Sequence, residues 1–212
     1  IINEKSIDEL MELLDSNINN EQKLNIYKKI IEQRPEDIKI QNDYSQFLFD
    51  NNKYKIVQNR INDLIKNGTY DKDTYFLKGR VHLLLNELEL AEKSFINSTA
   101  IDEKDALSLN ALGYVYSINN KDFKAEAAYK MAISIEEHNI FSHLNLGILK
   151  SNRGEHQEAL EYLEKAAILS INQDDYKRFL ISISKIEALK IEKIKIASTI
   201  ANLKKLKSWE NY

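Results

Sequence analysis

The 212-residue sequence contains no cysteine, a single proline and only five glycines. Without cysteine there is no disulfide framework, no thiolate nucleophile and no thiolate metal ligand. That absence suits a cytosolic or an extracytoplasmic setting equally. With so few helix breakers, long stretches run uninterrupted, and helix is the expectation throughout. A surplus of one charge is also missing. Lys and Arg number 30 against 33 Asp and Glu, a net charge of -3. Such a balance carries no polyanion signal and disfavours nucleic acid as a partner. No run of about 18 apolar residues occurs, so no segment has the character of a membrane span. The sequence starts at Ile1 and not at Met, which leaves open whether a signal peptide, an anchor or a further domain precedes it. The compartment is left open, cytoplasmic or membrane-tethered through a removed N-terminal segment.

Recognisable catalytic patterns are missing too. The glycines are spread out and form no phosphate loop. No nucleophile and base stand at a telling spacing. His138 and His143 lie five residues apart with no acidic cluster to complete a metal site, and His82 and His156 are isolated. The run Lys204-Lys205-Leu206-Lys207 reads as a solvated helix end. The expectation is no enzyme, no cofactor and no metal.

What is present is a period. Gly79, Gly113 and Gly147 are 34 residues apart, and Ala91, Ala125 and Ala159 repeat the interval. Phe95, Tyr129 and Leu163 follow in the same register, then Ser98, Ala132 and Ala166. The punctuation repeats as well: Asn51-Asn52-Lys53, Asn119-Asn120-Lys121 and Asn152-Arg153-Gly154 mark turns. In the clearest copy, one helix is expected over Asp105–Ile118 and a second to about Ile135, with Asp122 as its N-cap. Ser6-Ile7-Asp8-Glu9 reads as a capping box opening the first helix. Small residues at the helix crossing let two backbones approach. On this reading Gly113→Leu is damaging and Gly113→Ala is mild, while Lys130→Ala on the outer helix is expected to leave partner binding unchanged.

The string Leu109-x-x-Leu112-Gly113-x-x-Tyr116, with its 34-residue period, resembles the tetratricopeptide repeat. The resemblance implies an all-α fold, a right-handed superhelical array of helix-turn-helix repeats. Five repeats are expected at about 4–37, 38–71, 72–105, 106–139 and 140–173. Weaker letters carry the register towards the N-terminus: Ser45, Val57, Ile61 and Leu64 in the second copy, then Met11, Lys23, Tyr27 and Ile30 in the first. Lys23 breaks the small-residue rule there, and Pro35 falls at the repeat end. Residues 174–212 are expected to form one long or two nearly continuous helices that cap the array or bind a partner. Their stripe of Ile186, Leu189, Ile196, Ile200 and Leu203 has a period near 3.5.

The resemblance also implies a groove lined by the first helix of each repeat. Its residues would be Asn42, Gln46 and Phe49, then Phe76, Arg80 and Leu83, then Asn110, Tyr114 and Ser117, then Phe141, Leu144 and Ile148. Aromatic rings beside an arginine suit an apolar peptide with an acidic neighbour. A chaperone carboxylate clamp is not expected, because its lysine and arginine positions fall on Asn42, Leu107 and Ala111, or, one repeat on, on Phe76, Phe141 and Asn145. The functional expectation is a non-catalytic scaffold or adaptor that binds another protein or a peptide segment. The alternative is a self-associating structural protein, a homodimer through residues 183–206.

Overall fold

The computed structural model describes residues 5–172. The expected C-terminal helix over 174–212 and the dimer surface over 183–206 lie outside the described residues. Ten helices follow one another: α1 Ile7–Leu14, α2 Asn20–Gln33, α3 Ile38–Asp50, α4 Tyr54–Lys66, α5 Lys72–Leu84, α6 Leu88–Ile101, α7 Ala106–Ile118, α8 Asp122–Ile135, α9 Ile140–Asn152 and α10 His156–Asn172. Among the described residues there is no strand. The chain divides into two compact units, Ile1–Ile101 and Asp102–Tyr212. Within each unit the helices pack as consecutive antiparallel pairs, and the architecture is an all-α helical repeat array.

The turns inside the later pairs share one construction. Asn52, Asn86 and Asn120 have φ of 59°, 58° and 55°, and Gly154 has 78°. Only glycine and, at small cost, asparagine enter this left-handed region readily. Each such residue closes its helix with the same long bond: Lys53 N–H donates to Leu48 O at 2.9 Å, Glu87 N–H to His82 O at 2.9 Å, Lys121 N–H to Tyr116 O at 2.8 Å and Glu155 N–H to Lys150 O at 2.9 Å. This is a Schellman closure, which satisfies carbonyls the helix end would otherwise leave open.

The starts of the helices follow capping chemistry. Ser6 and Glu9 form the expected capping box, with Glu9 N–H donating to Ser6 Oγ and Ser6 N–H to Glu9 Oε2. Asn19 with Gln22 and Asp71 with Thr74 do the same. One expectation is corrected: the N-cap of α8 is Lys121, with no side-chain cap bond, and Asp122 is already helical. Asn120 completes the turn one residue earlier than the N-cap reading requires. Asp122 then contributes through its charge, against the positive end of the helix dipole.

The 34-residue columns are packing columns. A Cβ built on Gly79 would lie 2.6 Å from the Phe95 ring. One on Gly113 would lie 2.7 Å from Cδ1 and Cε1 of Tyr129, and one on Gly147 2.6 Å from Cγ of Leu163. Carbon atoms in contact need about 3.5–4.0 Å. The large residue on the second helix therefore fills the space that the glycine vacates. In α3 and α4 the pair is Ser45 and Ile61, a hydroxymethyl side chain facing an aliphatic one, and both are buried. The expectation that Gly113→Ala is mild is thereby corrected. Tyr129 is 1% exposed and walled in, so its ring has little room to yield.

The first pair departs from this scheme. Its core is Leu10, Ile26 and Ile30, closed by Ile40 of the next pair. Lys23 stays half-exposed, and Tyr27 instead stacks on Tyr44 at 5.3 Å between ring centroids. With α1 only eight residues long, this end carries little packing. Terminal elements with few contacts open first in stacked arrays. Amide hydrogen exchange is expected to be fast over 7–33 and slow over 106–170; equal protection of the two stretches would contradict that gradient.

Candidate protein-binding surfaces

In the first unit, α3 lies beside α5, and the expected groove residues of the two helices meet. At the N-terminal end of α5, Asn42 donates from its side-chain amide to Asp71 Oδ1 at 2.8 Å, and Thr74 Oγ1 donates to Asn42 Oδ1 at 2.8 Å. Farther along, Arg80 Nη1 donates to Gln46 Oε1 at 2.8 Å, and Gln46 Nε2 donates to Asp50 Oδ1 at 2.6 Å. The Arg80 guanidinium lies 4.2 Å above the Phe49 ring and 5.9 Å from that of Phe76. Burial pushes the pKa of Arg80 down, with the Asp50 charge opposing it. Phe49 is buried, and Phe76 packs against Phe95 with centroids 5.7 Å apart. Leu83 is half-buried. The result is a cation held flat on an aromatic face, with amides on one side and a second ring on the other.

In the second unit, α7 lies beside α9. Tyr114 is 47% exposed and Phe141 43%. Asn145 donates to Asn110 Oδ1 at 3.1 Å, tying the two helices together between those rings. Asn110, Ser117 and Ile148 are half-buried. Leu144 is only 3% exposed and packs inward, so it offers a partner almost no surface.

A charged cluster in this unit escaped the sequence reading. The Lys150 ammonium, on a residue 4% exposed, lies 2.6 Å from Glu155, 3.0 Å from Glu126 and 3.0 Å from Glu158. Arg153 reaches Glu126 at 2.5 Å and Glu155 at 2.6 Å. Lys130 joins Glu126 at 2.7 Å. Hydrogen bonds from Lys130, Lys150 and Arg153 hold the Glu126 carboxyl down to about 2 against the opposing effect of burial. Only the Glu126–Lys130 spacing of four hints at this cluster in the sequence. The partners 24 and 27 residues downstream come together solely through the packing of α8 on α9.

Two of the four histidines, His82 and His143, are tied into the fold. His82 Nδ1 sits 2.6 Å from Glu87 at the α5–α6 turn. His143 Nε2–H donates to Glu137 O at 2.9 Å, while its buried Nδ1 has no partner. Burial pushes the His143 pKa down, consistent with a neutral ring. No group of three or more His, Asp or Glu among the described residues is placed to hold a metal ion. No described helix is long and apolar enough to cross a membrane.

Residues 73–105 and 142–170 match the family model of the tetratricopeptide repeat. Both stretches contain the glycine, alanine and large-residue columns set out above. These two stretches are tetratricopeptide repeats. Solved structures share the fold of the chain. MamA from Desulfovibrio magneticus RS-1 aligns with a TM-score of 0.67 at 20% identity, over 79% of this chain and 95% of its own. TTC0263, a thermophilic repeat protein of Thermus thermophilus, aligns at 0.67 and 16% identity, over 84% and 99%. YrrB, described as having an unusual peptide-binding site, aligns at 0.62 and 18% identity, over 82% and 88%. No curated protein matches the sequence of this repeat protein.

Proposed function

We propose that this repeat protein is a non-catalytic interaction scaffold that holds a peptide segment of a partner protein against the first helices of its repeats. The observation that carries the reading is Arg80 laid on Phe49, with Gln46 and Phe76 beside it. A guanidinium fixed on an aromatic face keeps donors for a carboxylate while its apolar surroundings take up a neighbouring side chain. Tyr114 and Phe141 supply exposed rings on the corresponding helices of the second unit. Arginine and aromatic residues dominate binding energy at protein interfaces. The peptide-binding description of YrrB points the same way. The preferred segment carries an apolar anchor next to an acidic residue. Leu144 belongs to the core and is not part of the proposed contact.

A partner captured from native cells and identified by mass spectrometry allows the test. Arg80→Ala and Phe76→Ala, both in the first unit, should each weaken binding roughly thirtyfold, the equivalent of about 2 kcal/mol, with the helical circular dichroism signal unchanged. Lys28→Ala, on an exposed site of α2, serves as the control. Unchanged affinity in both groove variants would defeat the reading.

A further inference from the structure

The first unit contains a cavity of about 650 Å³ between α2, the α2–α3 turn and α4. It is remote in kind from the groove, because α4 is a second helix of its pair and the groove uses first helices. Gln41 and Leu64 are buried in its wall, and Arg60, Ile31 and Thr69 are half-buried. Glu36, Asp63, Asn59 and Asn67 are exposed around it. Its size lies within the usual range of ligand sites, roughly 300–1,000 Å³.

Arg60 is the unusual member. Its Nε–H donates to Ser45 Oγ at 3.2 Å, and Nη2 donates to Gln41 Oε1. Gln41 is itself anchored, its Nε2 donating to Pro35 O at 2.6 Å. The guanidinium lies 4.5 Å above the Tyr44 ring. Two of its five N–H donors are thus taken by neutral oxygens, and it makes no ion pair with any described residue. Burial pushes its pKa down, and no carboxylate compensates. The buried cation of the second unit is the contrast, since Lys150 has three carboxylates. A half-buried cation held in place by neutral groups favours any anion that can reach it, because the cost of desolvating and orienting the cation is already met.

We infer that this cavity is a second peptide-docking site, taking a segment that presents one carboxylate to Arg60 and basic residues to the rim. The charge layout selects that ligand. Glu36 and Asp63 at the opening repel a phosphate or any multiply charged anion, and they attract lysine or arginine on either side of a single acidic side chain. Ile31, Pro35 and Ile56 line the remaining wall and accept apolar neighbours. This site stands independently of the groove reading.

The probe is the acetylated, amidated peptide Lys-Leu-Glu-Leu-Lys, titrated into the full chain labelled with ¹⁵N. Its partners are the same peptide with Gln for Glu, and Ser-Leu-Glu-Leu-Ser. The Arg60 Nε–H and the side-chain amides of Asn59 and Asn67 should shift saturably with the first peptide. The Gln peptide should bind at least about tenfold more weakly, as the loss of a charge-assisted bidentate contact requires. Asp63→Asn combined with Glu36→Gln should weaken the lysine peptide severalfold and leave the serine peptide, itself an anion, no weaker than before. Arg60→Gln should abolish the shifts at Asn59 and Asn67. The inference is overturned by equal binding of the Glu and Gln peptides to the wild-type chain, a comparison that needs no folded variant. It is equally overturned by no shift up to about 5 mM peptide, or by shifts confined to Arg80 and its neighbours, which would assign the peptide to the groove.

Discussion

Gly113→Leu should cost about 3 kcal/mol or more, the upper part of the range for overpacking a core. The built Cβ alone would lie 2.7 Å from the Tyr129 ring, and leucine adds three further carbons on the same line. Tyr129 is fully enclosed, and its neighbours Ala125 and Ala132 have no flexible atoms to retract. Gly113→Ala should also destabilise. Its gain in helix propensity, about 1 kcal/mol, is set against the same ring contact, which costs about 1–3 kcal/mol. Urea unfolding of the single variants and of Gly113→Ala with Tyr129→Leu measures the coupling. The double variant should recover stability relative to the sum of the singles. A stabilising Gly113→Ala, or strictly additive effects, would mean that the two residues do not share this crossing.

Lys150→Met should be nearly as damaging. It preserves the length of the side chain and removes the charge, leaving Glu126 and Glu155 with Arg153 and Lys130 but no ammonium between them. Removing one partner of a buried pair costs about 3–5 kcal/mol. Glu158 is half-exposed, so the low end, about 3 kcal/mol, is expected. Adding Glu126→Leu should restore part of the loss, because it takes away the most enclosed of the three anions that lose the ammonium. Acid provides a second readout. The Glu126 carboxyl titrates near 2 in the folded chain against an ordinary 4.5, so its contribution is fully present above about 4.5 and fades as the pH falls towards 2. The stability gap between wild type and Glu126→Gln should therefore be constant near neutrality and close between pH 4.5 and 2. A gap that does not change with pH over that interval would show that Glu126 is no more stabilised as an anion folded than unfolded.

Much of this protein is local or periodic, and that part is legible in the sequence by itself. Gly79, Gly113 and Gly147 at one interval, with alanine and a large residue following in step, dictate helix pairs of one design. The turns are readable for the same reason: the conformation at Asn52, Asn120 and Gly154 depends on the residue itself and its immediate neighbours. Asn86 obeys the same rule although no asparagine pair precedes it. The capping box at Ser6 needs only four consecutive residues. Where the local rule has two close solutions, as at Lys121 and Asp122, the reading slips by one.

What only the tertiary structure decided depends on side chains distant in sequence. The tolerance of Gly113 is set by a tyrosine sixteen residues on, and letters in a column do not say how tightly a ring is held. Leu144 and Phe141 both stand at groove positions, yet one faces the core and the other solvent, because three residues of helix leave their directions about 60° apart, on either side of the core boundary. Arg60 and Arg80 are equivalent as letters. Packing lays Arg80 across Phe49 within reach of Gln46, and sets Arg60 over Tyr44 in a cavity where it forms no ion pair with a described residue. Lys150 reads as one surface lysine among many, and becomes the centre of a buried ion cluster only when α8, α9 and α10 bring Glu126, Glu155 and Glu158 around it. Charge and aromaticity are written in the sequence, but burial and pairing arise only when the helices meet, since both are properties of the space between elements.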